Sequence, residues 1–136
     1  MVIAPLHPEE SGFTSLQFAV MAFFTMLVFA GVVNLVAVQY QLGAVRVAID
    51  EAARHGAAAS HTEEDCETLA NSILRGDDSG LLRGRLGEDI DVDCGIDGPE
   101  MVAIATGWSR WWIGGLPDLG FELVGRAVLE TFSEGP

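Results

Sequence analysis

Phe18-Ala-Val-Met-Ala-Phe-Phe-Thr-Met-Leu-Val-Phe-Ala-Gly-Val-Val-Asn-Leu-Val-Ala-Val38 decides the fold, because it is the only stretch of this chain composed for lipid. No Asp, Glu, Lys or Arg stands between Phe13 and Val45. A bilayer core about 30 Å thick takes roughly 20 apolar residues at about 1.5 Å each, so the stretch is long enough to span as a helix. Within it only Thr25 and Asn34 ask for a hydrogen bond. The Thr hydroxyl can use its own helix, whereas Asn34 favours a partner helix.

The remainder of the chain is built for water. The 136 residues carry a formal net charge of −13, from 20 Asp and Glu against 7 basic residues, all of them Arg. Every Arg, and all the acids except Glu9 and Glu10, lie from Arg46 onward, which is why a mean hydropathy of +0.32 coexists with so much charge. An acidic excess of this kind argues against nucleic acid, whose phosphates need clustered cations, and against docking on anionic lipid. Solvation of a small surface accounts for the charge, with a specific basic partner as the alternative. A removable secretory signal would show a basic start and a shorter apolar core; Pro5, His7, Pro8, Glu9, Glu10 and Ser11 supply no positive charge, so the span is expected to be retained.

The helix is expected to continue past the span, from about Gly12 to about Ala59. No Pro interrupts Gln39 to Ala59, and Ala44, Ala48 and Ala52 recur every fourth residue beside Val45 and Ile49, giving a smooth face of small residues. Arg46, Asp50, Glu51 and Arg54 lie opposite, with Arg46 to Asp50 and Asp50 to Arg54 at ion-pair spacing. The small face reads as a spine for other helices or as the cover of the chain's own domain, and both can hold on different faces of the helix.

Beyond it, Thr62-Glu63-Glu64-Asp65 is a capped helix start, and a short helix follows to about Leu74 with Leu69, Ala70 and Ile73 on its apolar face. Asp77 to Gly80 reads as a turn. Ile90, Val92 and Cys94 alternate with Asp89, Asp91 and Asp93, the period of a strand with one wet face. Gly95 to Pro99 reads as a hairpin connection of moderate length, and Met101 to Trp108 as a second strand, apolar on nearly both faces. Phe121, Leu123, Ala127 and Leu129 alternate with Glu122, Arg126 and Glu130; a helix with four-residue charge spacing competes, and Gly125 favours a third strand. The fold class is therefore α+β: a long N-terminal transmembrane helix, a short helix and a small three-stranded antiparallel sheet. Its divisions are a leader-like segment 1–12, a span 13–40, a helix extension 41–60 and a small acidic domain 61–136.

Three clusters bear on chemistry. Cys66 and Cys94 are the only cysteines, one on the short helix and one ending the first strand. In an oxidising compartment a disulfide there would tie helix to sheet and contribute about 2–4 kcal/mol. A metal site from His55, His61, Cys66 and Cys94 lacks any Cys-x-x-Cys or His-x-x-x-His pair, and the acids of Asp89 to Asp97 alternate along a strand without calcium-loop spacing. No metal and no cofactor is expected. Trp108, Trp111 and Trp112 form a candidate contact patch or membrane-interface anchor, or cap the sheet. With no nucleophile elbow, phosphate loop or zinc-protease motif, an enzyme is not expected.

Gly12-Phe13-Thr14-Ser15-Leu16-Gln17-Phe18 resembles the processing site of type IV prepilins, which a peptidase cuts after Gly, before a Phe that becomes the methylated first residue. Glu51-Ala52-Ala53-Arg54-His55-Gly56-Ala57-Ala58 resembles the stretch after the span in TadE-like proteins of the tight-adherence (Flp, type IVc) pilus system, and Leu123-Val-Gly-Arg-Ala-Val-Leu-Glu130 resembles that family's last strand. The resemblance implies a minor pilin or pilus-assembly component, processed between Gly12 and Phe13, whose partners are membrane lipid, other pilin-like subunits, assembly proteins and a prepilin peptidase. Gln17, Asn34, Ala44, Ala48 and Ala52 would then serve subunit packing. One departure stands out: the family pattern has Glu at the fifth position after the cut, where it neutralises a neighbour's ammonium, and this chain has Gln17. Gln keeps the shape without the charge, which favours an accessory subunit over a bulk pilin.

The resemblance and the cysteine pair both imply a single-pass protein of the cell membrane with its C-terminal domain outside the cytoplasm, incorporated or not in a surface pilus. Arg46 and Arg54 just past the span, with no Arg before it, favour the opposite orientation by the positive-inside rule. An anchored extracytoplasmic interaction module that never enters a filament is the competing reading.

Overall fold

The computed structural model describes residues 10–58, 61–76, 80–82, 84–109 and 117–130. In chain order the elements are helix α1 (Glu10–Gly56), helix α2 (Glu63–Arg75), a single 3-10 turn (Gly84–Leu86), and strands β1 (Ile90–Asp97), β2 (Glu100–Ser109) and β3 (Leu119–Val128). The strands form one antiparallel sheet in the order β1-β2-β3. This is the α+β arrangement expected from the sequence. The chain divides into two compact units, Met1–Val36 and Ala37–Pro136.

In the first unit α1 carries its apolar side chains outward. Phe18, Met26 and Phe29 are 76%, 73% and 68% exposed, and only 6% of the most apolar window of the helix is buried, the reverse of a core helix in a water-soluble domain. Among the described residues one helix, near the N-terminus, is thus long and apolar enough to cross a membrane. Thr25 bonds its hydroxyl to the Met21 carbonyl at 2.9 Å, satisfying the group within its own turn.

In the second unit the continuation of α1 becomes the floor of a core. Val45, Ala48, Ile49, Ala52 and Ala53 have no exposure, and they cluster with Cys66, Ala70 and Leu74 of α2, Ile90 and Val92 of β1, and Met101, Ala103 and Ala105 of β2. Burying Ile49 or Leu74 contributes about 1.5–3 kcal/mol each. The alanines on both sides let helix and sheet backbones approach, and Gly125 of β3 completes the fit. A Cβ there would sit 3.0 Å from the Ile49 carbonyl oxygen.

α2 starts at a reciprocal cap. The Asp65 N–H donates to Thr62 Oγ1 at 3.3 Å, and the Thr62 N–H donates to Asp65 Oδ2 at 2.8 Å, an Asp taking the place usually held by Glu or Gln. The helix ends with the Gly76 N–H on the Ser72 carbonyl, and the following chain folds back so that the Leu81 and Leu82 N–H groups reach the carbonyls of Ile73 and Leu74. These bonds satisfy carbonyls that a helix end would leave orphaned.

Several boundaries differ from the sequence expectation. α1 closes at Gly56 instead of about Ala59, where Ala58 tightens onto the His55 carbonyl at 3.2 Å. The hairpin expected over Gly95 to Pro99 is a two-residue turn: β1 runs on to Asp97, which pairs with Glu100, leaving Gly98 and Pro99 between them. Gly98 has φ +61°, the glycine-first pattern of a II′ hairpin, whose twist matches the strands. β3 begins at Leu119 and ends at Val128, because Leu129 and Glu130 turn their N–H groups to Pro99 and Ala57. The turn expected over Asp77 to Gly80 lies mostly outside the described residues.

Candidate interaction surfaces

The small-residue face offered by Ala44, Ala48 and Ala52 is spent inside the chain. Their exposures are 7%, 0% and 0%, all within the core that packs on the sheet, so no second helix can lie there. Of the two readings of that face, the structure has the cover of the chain's own domain. Gln17 is exposed, and Asn34 is the one buried residue from Thr14 to Val36, at 3%. Gly12 and Phe13 fall in the first turn of α1, with their side chains outside the described residues.

Cys66 and Cys94 stand at disulfide-bonding distance, with Cα atoms 6.2 Å apart and a sequence separation of 28. The bridge links α2 to β1, as their positions in the sequence suggested. Gly56 lies under it: a Cβ on Gly56 would come within 2.7 Å of Cys66 Cβ and 3.2 Å of Met101 Cε. The glycine is therefore a close-approach residue between the end of α1 and α2.

Around the bridge, α2 guards the free edge of β1. Glu67 accepts the Cys94 N–H at 3.3 Å and Glu63 accepts the Ile96 N–H at 3.0 Å. Arg75 donates through Nε to the Gly87 carbonyl at 3.0 Å and through Nη2 to the Ile90 carbonyl. Strand N–H and C=O groups that would otherwise invite another strand are thereby occupied. Sequence reasoning missed this role, although Glu63, Glu67 and Arg75 share one stripe of α2 at multiples of four residues.

Asp65 sits at the cap of α2. Its carboxyl is held below the ordinary 3.8, first by the Thr62 N–H and then by the Thr62 hydroxyl, with smaller contributions from His61 and His55. The two imidazole rings lie against each other, centroids 4.0 Å apart and tilted by 51°. Among the described residues no group of three or more His, Cys, Asp or Glu is placed to hold a metal ion.

Tyr40 and Gln41, unremarked in the sequence, tie α1 to the segment after α2. The Tyr40 hydroxyl donates to the Leu81 carbonyl and Gln41 Nε2 to the Leu86 carbonyl, both at 3.0 Å. Of the expected aromatic patch, Trp108 is 58% exposed, and Trp111 and Trp112 lie outside the described residues. Neither a family model, nor a curated protein, nor a solved structure matches this chain.

Proposed function

We propose that the chain is a non-enzymatic, pilin-like minor subunit or assembly component of a tight-adherence pilus or a related secretion system at the cell surface. The observation that carries this reading is the division of labour along α1. Up to Val36 the helix exposes apolar side chains suited to lipid, and from Ala44 it is the floor of a small α+β domain. A cysteine pair at bonding distance supports an oxidising location for that domain, outside the cytoplasm. Gly12-Phe13 at the head of the same helix supports maturation by a prepilin peptidase, and Gln17 supports an accessory role.

The test is intact-mass measurement and N-terminal sequencing of the membrane-extracted protein from cells with and without the peptidase. A chain beginning at Phe13 only when the peptidase is present is the expected result; one beginning at Met1 in both removes the processed-pilin reading. The burial of Ala44, Ala48 and Ala52 favours the second reading, an anchored interaction module outside any filament, because that face has nothing left to offer neighbouring helices. Crosslinking separates the two: pilin-like neighbours fit the first, a lone unrelated partner the second.

A further inference from the structure

The sheet has two faces of different character. Ile90, Val92, Met101, Ala103 and Ala105 point into the core, so the alternate residues lie on the other face. The strand register arranges that outer face in rows: Asp91, Thr106 and Glu122; Asp93, Ile104 and Val124; Gly95, Val102 and Arg126. The middle of the face is aliphatic, with Val124 46% exposed, while carboxylates bound it. Trp108 continues it at one end. Its indole lies across Gly120, where a Cβ would meet Trp108 Cζ3 at 3.2 Å, and so presents an exposed ring.

Two open hollows lie on this face, of about 380 Å³ beside Asp91, Trp108 and Glu122 and about 480 Å³ over Asp93, Ile104 and Val124, with Glu122 bordering both. The three strands contain one basic residue, Arg126, and it is engaged with Glu100 at 3.4 Å. Asp91, Asp93 and Asp97 therefore have no cation on their own strand, and the one on the strand of Glu122 is engaged with Glu100.

We propose that this outer face docks a basic, partly apolar segment of another protein. An Arg or Lys side chain lies on the Trp108 ring between Asp91 and Glu122, where the ring quadrupole and both carboxylates attract it, and a neighbouring aliphatic side chain covers Ile104 and Val124. Charge selects this occupant over the others: a second copy would bring the same acids, and an anionic bilayer would be repelled. The inference stands whether or not the chain enters a filament.

The test uses the full chain in an uncharged detergent and fluorescence anisotropy of a labelled eight-residue peptide of alternating Arg and Val. Peptides alternating Arg with Ser and Glu with Val serve as comparisons. The Arg-Val peptide is expected to bind at least about tenfold tighter than either. Glu122→Gln and Asp91→Asn should each weaken it about threefold to tenfold, and Glu51→Gln and Glu64→Gln, which remove the same charge elsewhere, by less than about twofold. Equal binding of the Arg-Ser peptide, an equal loss in Glu51→Gln, or no binding would each overturn the proposal. So would self-association of the chain that competes with the peptide, which would give the face to a second copy.

Discussion

Gly125 rests on the backbone of Ile49. A Cβ on the glycine would stand 3.0 Å from the Ile49 carbonyl oxygen and 3.1 Å from its carbonyl carbon, both fixed in a helix that cannot yield cheaply. Gly125→Val is therefore expected to lower the stability of the domain by about 1–3 kcal/mol through overpacking. Gly95→Val is the matched control, because a Cβ there meets nothing within 4 Å. Denaturant melts of both variants in detergent check the pair, and equal losses would mean that the close approach does not matter.

The cysteine pair joins positions separated by 28 in sequence, for which chain entropy gives about 3.5 kcal/mol. Cys94→Ala, or reduction of the native chain, should destabilise the domain by a figure of that order. Maleimide labelling should modify neither cysteine until a reductant is added. Labelling of both in the untreated protein as isolated from membranes would contradict the bridge and the oxidising compartment together.

The cap of α2 sets a pH dependence. Asp65 has a folded-state pKa below the ordinary 3.8, so as acid is added the unfolded chain takes up this proton first. Its contribution is complete above the unfolded value, declines as the pH falls through 3.8, and is gone below the depressed folded value. Asp65→Asn should remove part of the acid-side slope in a series of melts from pH 6 to pH 2. An unchanged slope would show that the Thr62 bonds do not persist in solution.

Opening the guarded edge should be visible as association. Glu63→Ala with Glu67→Ala frees the Cys94 and Ile96 N–H groups at modest cost, about 1 kcal/mol for each lost bond. Light scattering of the double variant is expected to show concentration-dependent growth that the native protein lacks.

Charges placed in the span test its setting directly. Val28→Arg with Val32→Arg, each about 2.5–3.5 kcal/mol unfavourable at a bilayer centre, should shift the protein out of the carbonate-washed membrane fraction. Retention of the double variant would show that something other than the span holds the chain.

Much of this architecture was legible in the residues. The uncharged run from Phe13 to Val45 gave the long apolar helix, the alternation around Asp91 and Asp93 gave β1, and Gly125 tipped the last segment to strand for a reason the packing extends: the glycine faces a helix carbonyl. The alanine face was legible as a packing face but not as to its occupant, since small residues suit a neighbouring helix and a nearby sheet equally. Edge protection by Glu63, Glu67 and Arg75 was not legible, because an acid in the first turn such as Glu63 and a base in the last turn already have a sufficient reason in the helix dipole, and Glu67 reads as a solvated side chain. The outer-face rows depend on strand register, which Gly98 and Pro99 set, and a turn read three residues too long hides it.

A sheet fastened shut along one margin has a valence of one. Beyond β3 no further strand pairs among the described residues, while β1 is closed by the side chains of α2. Backbone pairing between molecules is then favoured at one margin and opposed at the other, whereas an endless ribbon needs two receptive sides. A longer array built by the described residues would then draw on side chains or on the exposed apolar helix.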